Sequence, residues 1–139
     1  MGAPADYVPS VPELTTLSEH DSKQRLAAHG LSVASEALVH GPDEAAAAAE
    51  SKGYPVVVKA CGASIAHKTE RGLVRLGLRD EVGVRVALDE VTARLTPDDG
   101  DVAILVAEMV AATRELIVGV ATDEIFGRTI MLGVGGIFA

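Results

Sequence analysis

Val56-Val57-Val58-Lys59-Ala60-Cys61-Gly62-Ala63-Ser64-Ile65-Ala66-His67-Lys68-Thr69-Glu70-Arg71-Gly72 is the stretch on which the reading of this chain turns. The β-branched run that ends in Lys59 reads as a strand over Val56–Ala60, opened by Pro55, and the small and polar residues that follow read as a loop reaching Gly72. Such a strand holds one ammonium group rigidly at the edge of a sheet. The loop sets the imidazole of His67 beside it, and a fixed cation next to a mobile nucleophile is what transfer of a phosphoryl group requires. Beyond the loop, Val74, Leu76 and Leu78 alternate with Arg75 and Gly77, so Leu73–Leu78 reads as a returning strand and the loop as a hairpin connection.

Upstream, Ser18 offers an N-cap hydroxyl with Asp21 three positions on, and Gly30 supplies a stop, which predicts a helix over 18–29. Leu31–Val39 reads as a strand. Gly41-Pro42-Asp43 then turns the chain into an alanine-rich helix, Glu44–Lys52, slim enough to lie close against a sheet and ended by Gly53. Downstream, Asp80 caps a helix reaching about Leu95, with Val84, Leu88, Val91 and Leu95 on one face. Thr96-Pro97-Asp98-Asp99-Gly100 breaks it. Strands are expected at Val102–Val110, Glu115–Ala121 and Thr129–Val134. The pattern is α+β, with a largely antiparallel sheet and helices on one side.

At 139 residues the chain is one domain or a piece of one, able to bury roughly two thirds of its unfolded surface. Residues 1–13 hold three prolines and little apolar periodicity, and read as a flexible arm preceding a domain over 14–139. The end of the chain, Gly133 to Ala139, is apolar with no polar cap, which reads as a truncation because an uncovered apolar edge invites aggregation. A net charge of -8 argues against a nucleic-acid or membrane-surface binder, since either needs a basic face. With only 3% aromatic residues and no Trp, a base-stacking platform is disfavoured too. Cys61 stands alone, which fits a reducing compartment, and no signal peptide or span of about 20 apolar residues is visible. The expected location is cytoplasmic.

Several separated motifs then occur in a familiar order: GYPVVVKACGASIAHKTERGLVRLGL over 53–78, ILVAEMV over 104–110 and RELIVGVATDEIFGRTIMLGVGGIF over 114–138. From about Leu14 to Phe138 the chain resembles the ATP-grasp portion of ADP-forming acyl-CoA synthetases of the acetate–CoA ligase type. The resemblance implies the N-terminal part of an ATP-grasp fold that handles ATP and ADP. Lys59 then matches the strand-end lysine that meets the nucleotide phosphates and Lys23 the first phosphate-contacting lysine, while Lys68, beside His67, is placed to steer the phosphate. Glu108-Met109-Val110 matches the hinge where adenine docks on backbone groups, and Glu115 the carboxylate that accepts from ribose hydroxyls.

His67 matches the loop histidine that receives phosphate from another phosphohistidine and carries it to ADP, a role suited to an imidazole with a near-neutral pKa. His20, His29 and His40 lack that context and read as surface residues. The family's Mg²⁺ ligands fall outside this chain, as do the CoA-binding synthetase domain or subunit that would be its partner. Alone, such a segment would be inactive or nearly so. Where the family carries a second glycine and a glutamine, this sequence has Leu73 and Ala107. The alternative readings are a non-catalytic nucleotide-binding or interaction module, or a regulatory region of a protein acetyltransferase-type fusion.

Overall fold

A computed structural model describes residues 16–65 and 67–135. The arm at 1–13, Ala66 of the loop, and Gly136 to Ala139 of the apolar ending lie outside the described residues. Helix α1, Glu19–Ala28, starts where Ser18 accepts a hydrogen bond from the Asp21 amide at 3.1 Å and donates its own hydroxyl to the Asp21 carboxylate at 2.7 Å. The capping signal in the sequence is therefore the actual start of the helix. Helix α2, Pro42–Lys52, begins earlier than expected, because proline at its first turn gives up an amide that has no partner there anyway. Helix α3, Glu81–Thr92, is capped by Asp80, which accepts from the Gly83 amide at 2.7 Å.

Four strands form one wholly antiparallel sheet: β1 (Glu36–Val39), β2 (Val56–Cys61), β3 (Val74–Leu78) and β4 (Ala103–Glu108), in the order β1-β4-β2-β3. Strand β1 is shorter than the Leu31–Val39 read from the sequence. Its register with β4 ends at Glu36 opposite Ala107, one further backbone bond joins the Glu108 amide to the Ser35 carbonyl, and Leu31 is exposed, so pairing and burial stop short of the strand's expected start.

Alternation along the strands divides the sheet into two faces. Val56, Val58 and Ala60 of β2 join Val39, Ile104 and Val106 in a core completed by Ala45 and Ala49 of α2 and by Val84, Ala87, Leu88 and Val91 of α3. The opposite parity carries Lys59, Leu105 and Glu36. Helices α2 and α3 thus pack on one face, as expected, whereas α1 has no buried residue and meets the other face through charged groups.

Strand β3 departs from the simple alternation. Val56 pairs with Leu78, but Val58 pairs with Arg75, so β3 holds one extra residue there, and Gly77 takes a φ of 68°. This bulge re-aims the side chains, and Leu76, expected on the apolar face, is 66% exposed. Leu73 is fully buried in the core, and the left-handed conformation of this turn falls on Gly72 (φ 66°) instead. Leu73 is therefore a packing residue, and the turn's left-handed position is met by glycine.

A second compact unit begins at Val110. Within it β5 (Leu116–Asp123) and β6 (Gly127–Val134) pair antiparallel, closed by Asp123, whose carboxylate accepts from the amides of Ile125 (2.8 Å) and Phe126 (2.9 Å). No helix among the described residues is long and apolar enough to cross a membrane.

The contrast between two leucines checks this packing. Leu73→Ala should cost about 2–5 kcal/mol, the range for emptying a buried leucine site, while Leu76→Ala should stay within about 0.5 kcal/mol, as for an exposed side chain. Urea unfolding of both variants decides. Equal costs would mean that the bulge is misplaced.

Candidate functional site

Strand β2 fixes the site, because the parity that buries Val58 and Ala60 sends Lys59 to the face where α1 lies. The first turn of α1 supplies the anion. Glu19 Oε1 accepts from Lys59 Nζ at 2.5 Å and from Lys23 Nζ, one helical turn on, at 2.9 Å, and Glu19 Oε2 lies 3.5 Å from Lys68 Nζ. Lys23 also donates to Glu36 Oε2 at 2.6 Å, and the other oxygen of Glu36 lies 2.9 Å from His20 Nδ1. Three ammonium groups thus face two carboxylates. Lys23, Lys59 and Lys68, each singled out from the sequence, are brought together. Sequence reasoning missed the carboxylates that gather them.

Partial burial pushes the carboxyl of Glu19 towards its neutral form, but hydrogen bonds from Lys23 and Lys59 outweigh this and bring its pKa down from 4.5 to about 2. Its place in the first turn adds a favourable interaction with the positive end of the helix. Burial likewise disfavours the charged form of Lys23, yet its bonds to Glu19 and Glu36 leave its pKa raised.

The loop carries His67 on a left-handed backbone (φ 53°), with its side chain 73% exposed and Nδ1 3.5 Å from a carboxylate oxygen of Glu70. The ring is not packed among aliphatic groups. After it the chain is tied down: the amides of Arg71, Gly72 and Leu73 donate to the carbonyls of His67, Thr69 and Lys68 at 3.1, 3.0 and 2.8 Å. Arg71 then forms a two-point ion pair with Asp99, at 2.5 and 2.9 Å. Asp99 is buried and also accepts from the Thr96 amide (2.7 Å) and hydroxyl (3.0 Å). The Arg71 guanidinium, followed by the Thr96 amide, holds the Asp99 carboxyl well below the usual carboxylate range. At the other end of the loop, a Cβ on Gly62 would stand 3.0 Å from the Asp101 carbonyl oxygen, so glycine permits a close approach there.

The expected adenine hinge is partly engaged in internal bonds. Glu108 Oε1 accepts from the Ser35 amide at 2.7 Å, the Glu108 amide donates to the Ser35 carbonyl at 2.9 Å, and the Met109 amide donates to the Pro55 carbonyl at 3.3 Å. Val110 and Glu115 belong to the second unit, where the Glu115 carbonyl accepts from the Gly135 amide at 2.9 Å. A cavity of about 280 Å³ opens beside the start of α1, lined by Ser18, Asp21, Cys61 and Asp101 among others, and none of the expected nucleotide-contacting or phosphate-carrying residues lines it. Among the described residues no group of three or more His, Cys, Asp or Glu side chains is arranged to hold a metal ion.

A signal for Glu19 was present, since it precedes Lys23 by one helical turn. None existed for Arg71 and Asp99, which are 28 positions apart.

Comparison with known proteins gives the same frame. A family model described as an ATP-grasp domain matches residues 12–139. The chain is 37% identical over 127 residues to the acetate–CoA ligase [ADP-forming] II subunit beta of Pyrococcus furiosus, covering 89% of this chain and 54% of that subunit. A solved structure of the Ca. Korarchaeum cryptofilum dinucleotide forming acetyl-coenzyme A synthetase 1, with coenzyme A, Ca-AMPCP and HgCl⁺, superposes with a TM-score of 0.79 at 33% identity, covering 87% of this chain and 54% of that one. Another structure of that enzyme, with coenzyme A and Mg-AMPPCP and its phosphohistidine segment pointing towards the nucleotide binding site, gives a TM-score of 0.69 at 33% identity over 86% of this chain and 50% of that one. The chain spans about half the length of these relatives.

The depressed pKa of Glu19 makes stability depend on pH with a definite sign. A carboxyl that ionises more readily folded than unfolded stabilises fully above its unfolded pKa, and the contribution disappears as pH falls through the folded value. Stability should therefore decline from about pH 4.5 towards about pH 2, and Glu19→Gln should flatten part of that decline. Urea unfolding at a series of pH values measures it. Identical pH profiles for the two proteins would contradict the ion-pair geometry.

Proposed function

The chain belongs to the ATP-grasp domain family, and we propose that it serves as the nucleotide-handling segment of an ADP-forming acyl-CoA synthetase, exchanging phosphate between a histidine and ADP or ATP. The observation that carries this reading is the convergence of Lys23, Lys59 and Lys68 beside the loop bearing an exposed His67. Ammonium groups gathered before the substrate arrives offset phosphate charge with little reorganisation. Lys59, rigid on β2, meets the phosphates, Lys23 supports it from α1, and Lys68 follows His67 through the loop.

In the direction of histidine phosphorylation, an unprotonated imidazole nitrogen of His67 attacks the terminal phosphorus of ATP. The bond from that phosphorus to the bridging oxygen breaks, and ADP leaves with the electron pair. The reverse step returns the phosphoryl group to ADP. The exposed ring and the left-handed backbone at His67 suit a side chain that must meet more than one partner. Glu108, Met109 and Val110 would supply the adenine hinge and Glu115 the ribose contact. Coenzyme A binding and the first phosphohistidine belong, on this reading, to a partner domain or subunit. On this reading the Mg²⁺ that accompanies the nucleotide is held by carboxylates outside this chain.

Incubating a complete synthetase that carries this chain with ATP and Mg²⁺ should give an acid-labile phosphoprotein. His67→Ala should abolish the label at this segment and leave nucleotide affinity nearly unchanged. Label persisting at this segment in that variant, mapped by mass spectrometry, would remove His67 from the pathway. Glu115→Ala should weaken ADP binding by roughly 1–3 kcal/mol, as for hydrogen bonds to a charged group, measured by calorimetry. An unchanged affinity would exclude it from the ribose site.

A further inference from the structure

Building on the nucleotide-site reading above, we propose that the Glu19 carboxylate is a built-in stand-in for phosphate, filling the ammonium cluster while nucleotide is absent and yielding the place when phosphate arrives. Carboxylate and phosphoryl oxygens both accept charge-assisted hydrogen bonds from the N–H donors of a lysine. One carboxylate here engages all three ammonium groups, at 2.5, 2.9 and 3.5 Å. The pairs differ in what would remain once Glu19 withdrew. Lys23 would stay attached to the almost fully buried Glu36. Lys59 and Lys68 have no other acidic partner among the described residues, so both would be released to an incoming phosphate.

Glu19 also has somewhere to go. Sitting in the first turn of α1, it can turn towards the positive end of the helix and remain ionised there. The exchange would therefore leave no charge stranded. It has a directional consequence too. Lys68 adjoins His67 in the chain, so the phosphate that displaces Glu19 also frees the residue next to the proposed carrier.

The carboxylate left near the phosphates repels them, and it sets the affinity below what the three lysines alone would give. Removing one unit charge a few ångströms from the phosphates, at a partly exposed site, should tighten binding about tenfold. The test is ADP titration by calorimetry on a complete synthetase carrying this chain, with Glu19→Gln, Glu19→Asp and Lys59→Met. Glu19→Gln should lower the Kd for ADP about tenfold, while Glu19→Asp, which keeps the charge on a shorter side chain, should lower it much less.

Equal or weaker ADP binding by a folded Glu19→Gln overturns the proposal. Lys59→Met separates this from failure of the site itself. If that variant loses ADP while Glu19→Gln gains nothing, only the stand-in role fails; if it binds ADP as the unaltered protein does, the nucleotide site fails and the stand-in with it. The unaltered protein gives an independent decision that needs no variant to fold. With ¹³C-labelled glutamate, the Glu19 carboxylate resonance should move on adding ADP, and a resonance that stays in place overturns the proposal.

Discussion

The period of two along β2 is the constraint from which the rest follows. Val56, Val58 and Ala60 must face α2 and α3 to close the core, so Lys59 has no choice but to face the other way. A lysine on that face, 17% exposed at its side chain, requires a counter-charge, and α1 supplies one. That explains why a helix with no buried residue is nonetheless held against the sheet. Its attachment is electrostatic and polar, and the charge cluster at its first turn is both the fastening and the chemically interesting place.

Much of this was legible in the sequence because it is local. The VVVK run, the Ser18 and Asp80 caps, the hairpin joining β2 to β3 and the core face of α3 depend on residues a few positions apart, and each is present. What escaped depends on distance along the chain. The bulge at Gly77 is defined only by what lies across the ladder, and the length of β1 by where β4 stops offering partners. Arg71 and Asp99 meet because the start of β3 and the turn after α3 converge, which no spacing rule encodes.

The candidate site is legible in the sequence to the same uneven degree. Sequence motifs point to the lysines and the histidine; the one-turn spacing of Glu19 and Lys23 is a weak signal, since acidic residues in a first helical turn are common, and nothing marks Glu36 on β1. Likewise, the Glu108 and Met109 positions could be named without knowing that a side chain and an amide there already bond to Ser35 and Pro55. In both cases the missing half of the interaction comes from a remote segment.

The loop that carries His67 is fastened unevenly, and this bears on how its length could drift between homologous proteins. Its described backbone bonds gather after the histidine, where Lys68, Thr69 and the Arg71–Asp99 pair fix spacing to the residue. An insertion there would turn Arg71 away from its buried partner and undo several bonds together. Ahead of the histidine, Ala63 and Ser64 are exposed while Ile65 packs against the core, so an extra residue beside Ala63 or Ser64 would lengthen an exposed stretch and leave those bonds in place. Variation in loop length should therefore accumulate on the upstream side, with the downstream count of residues held constant.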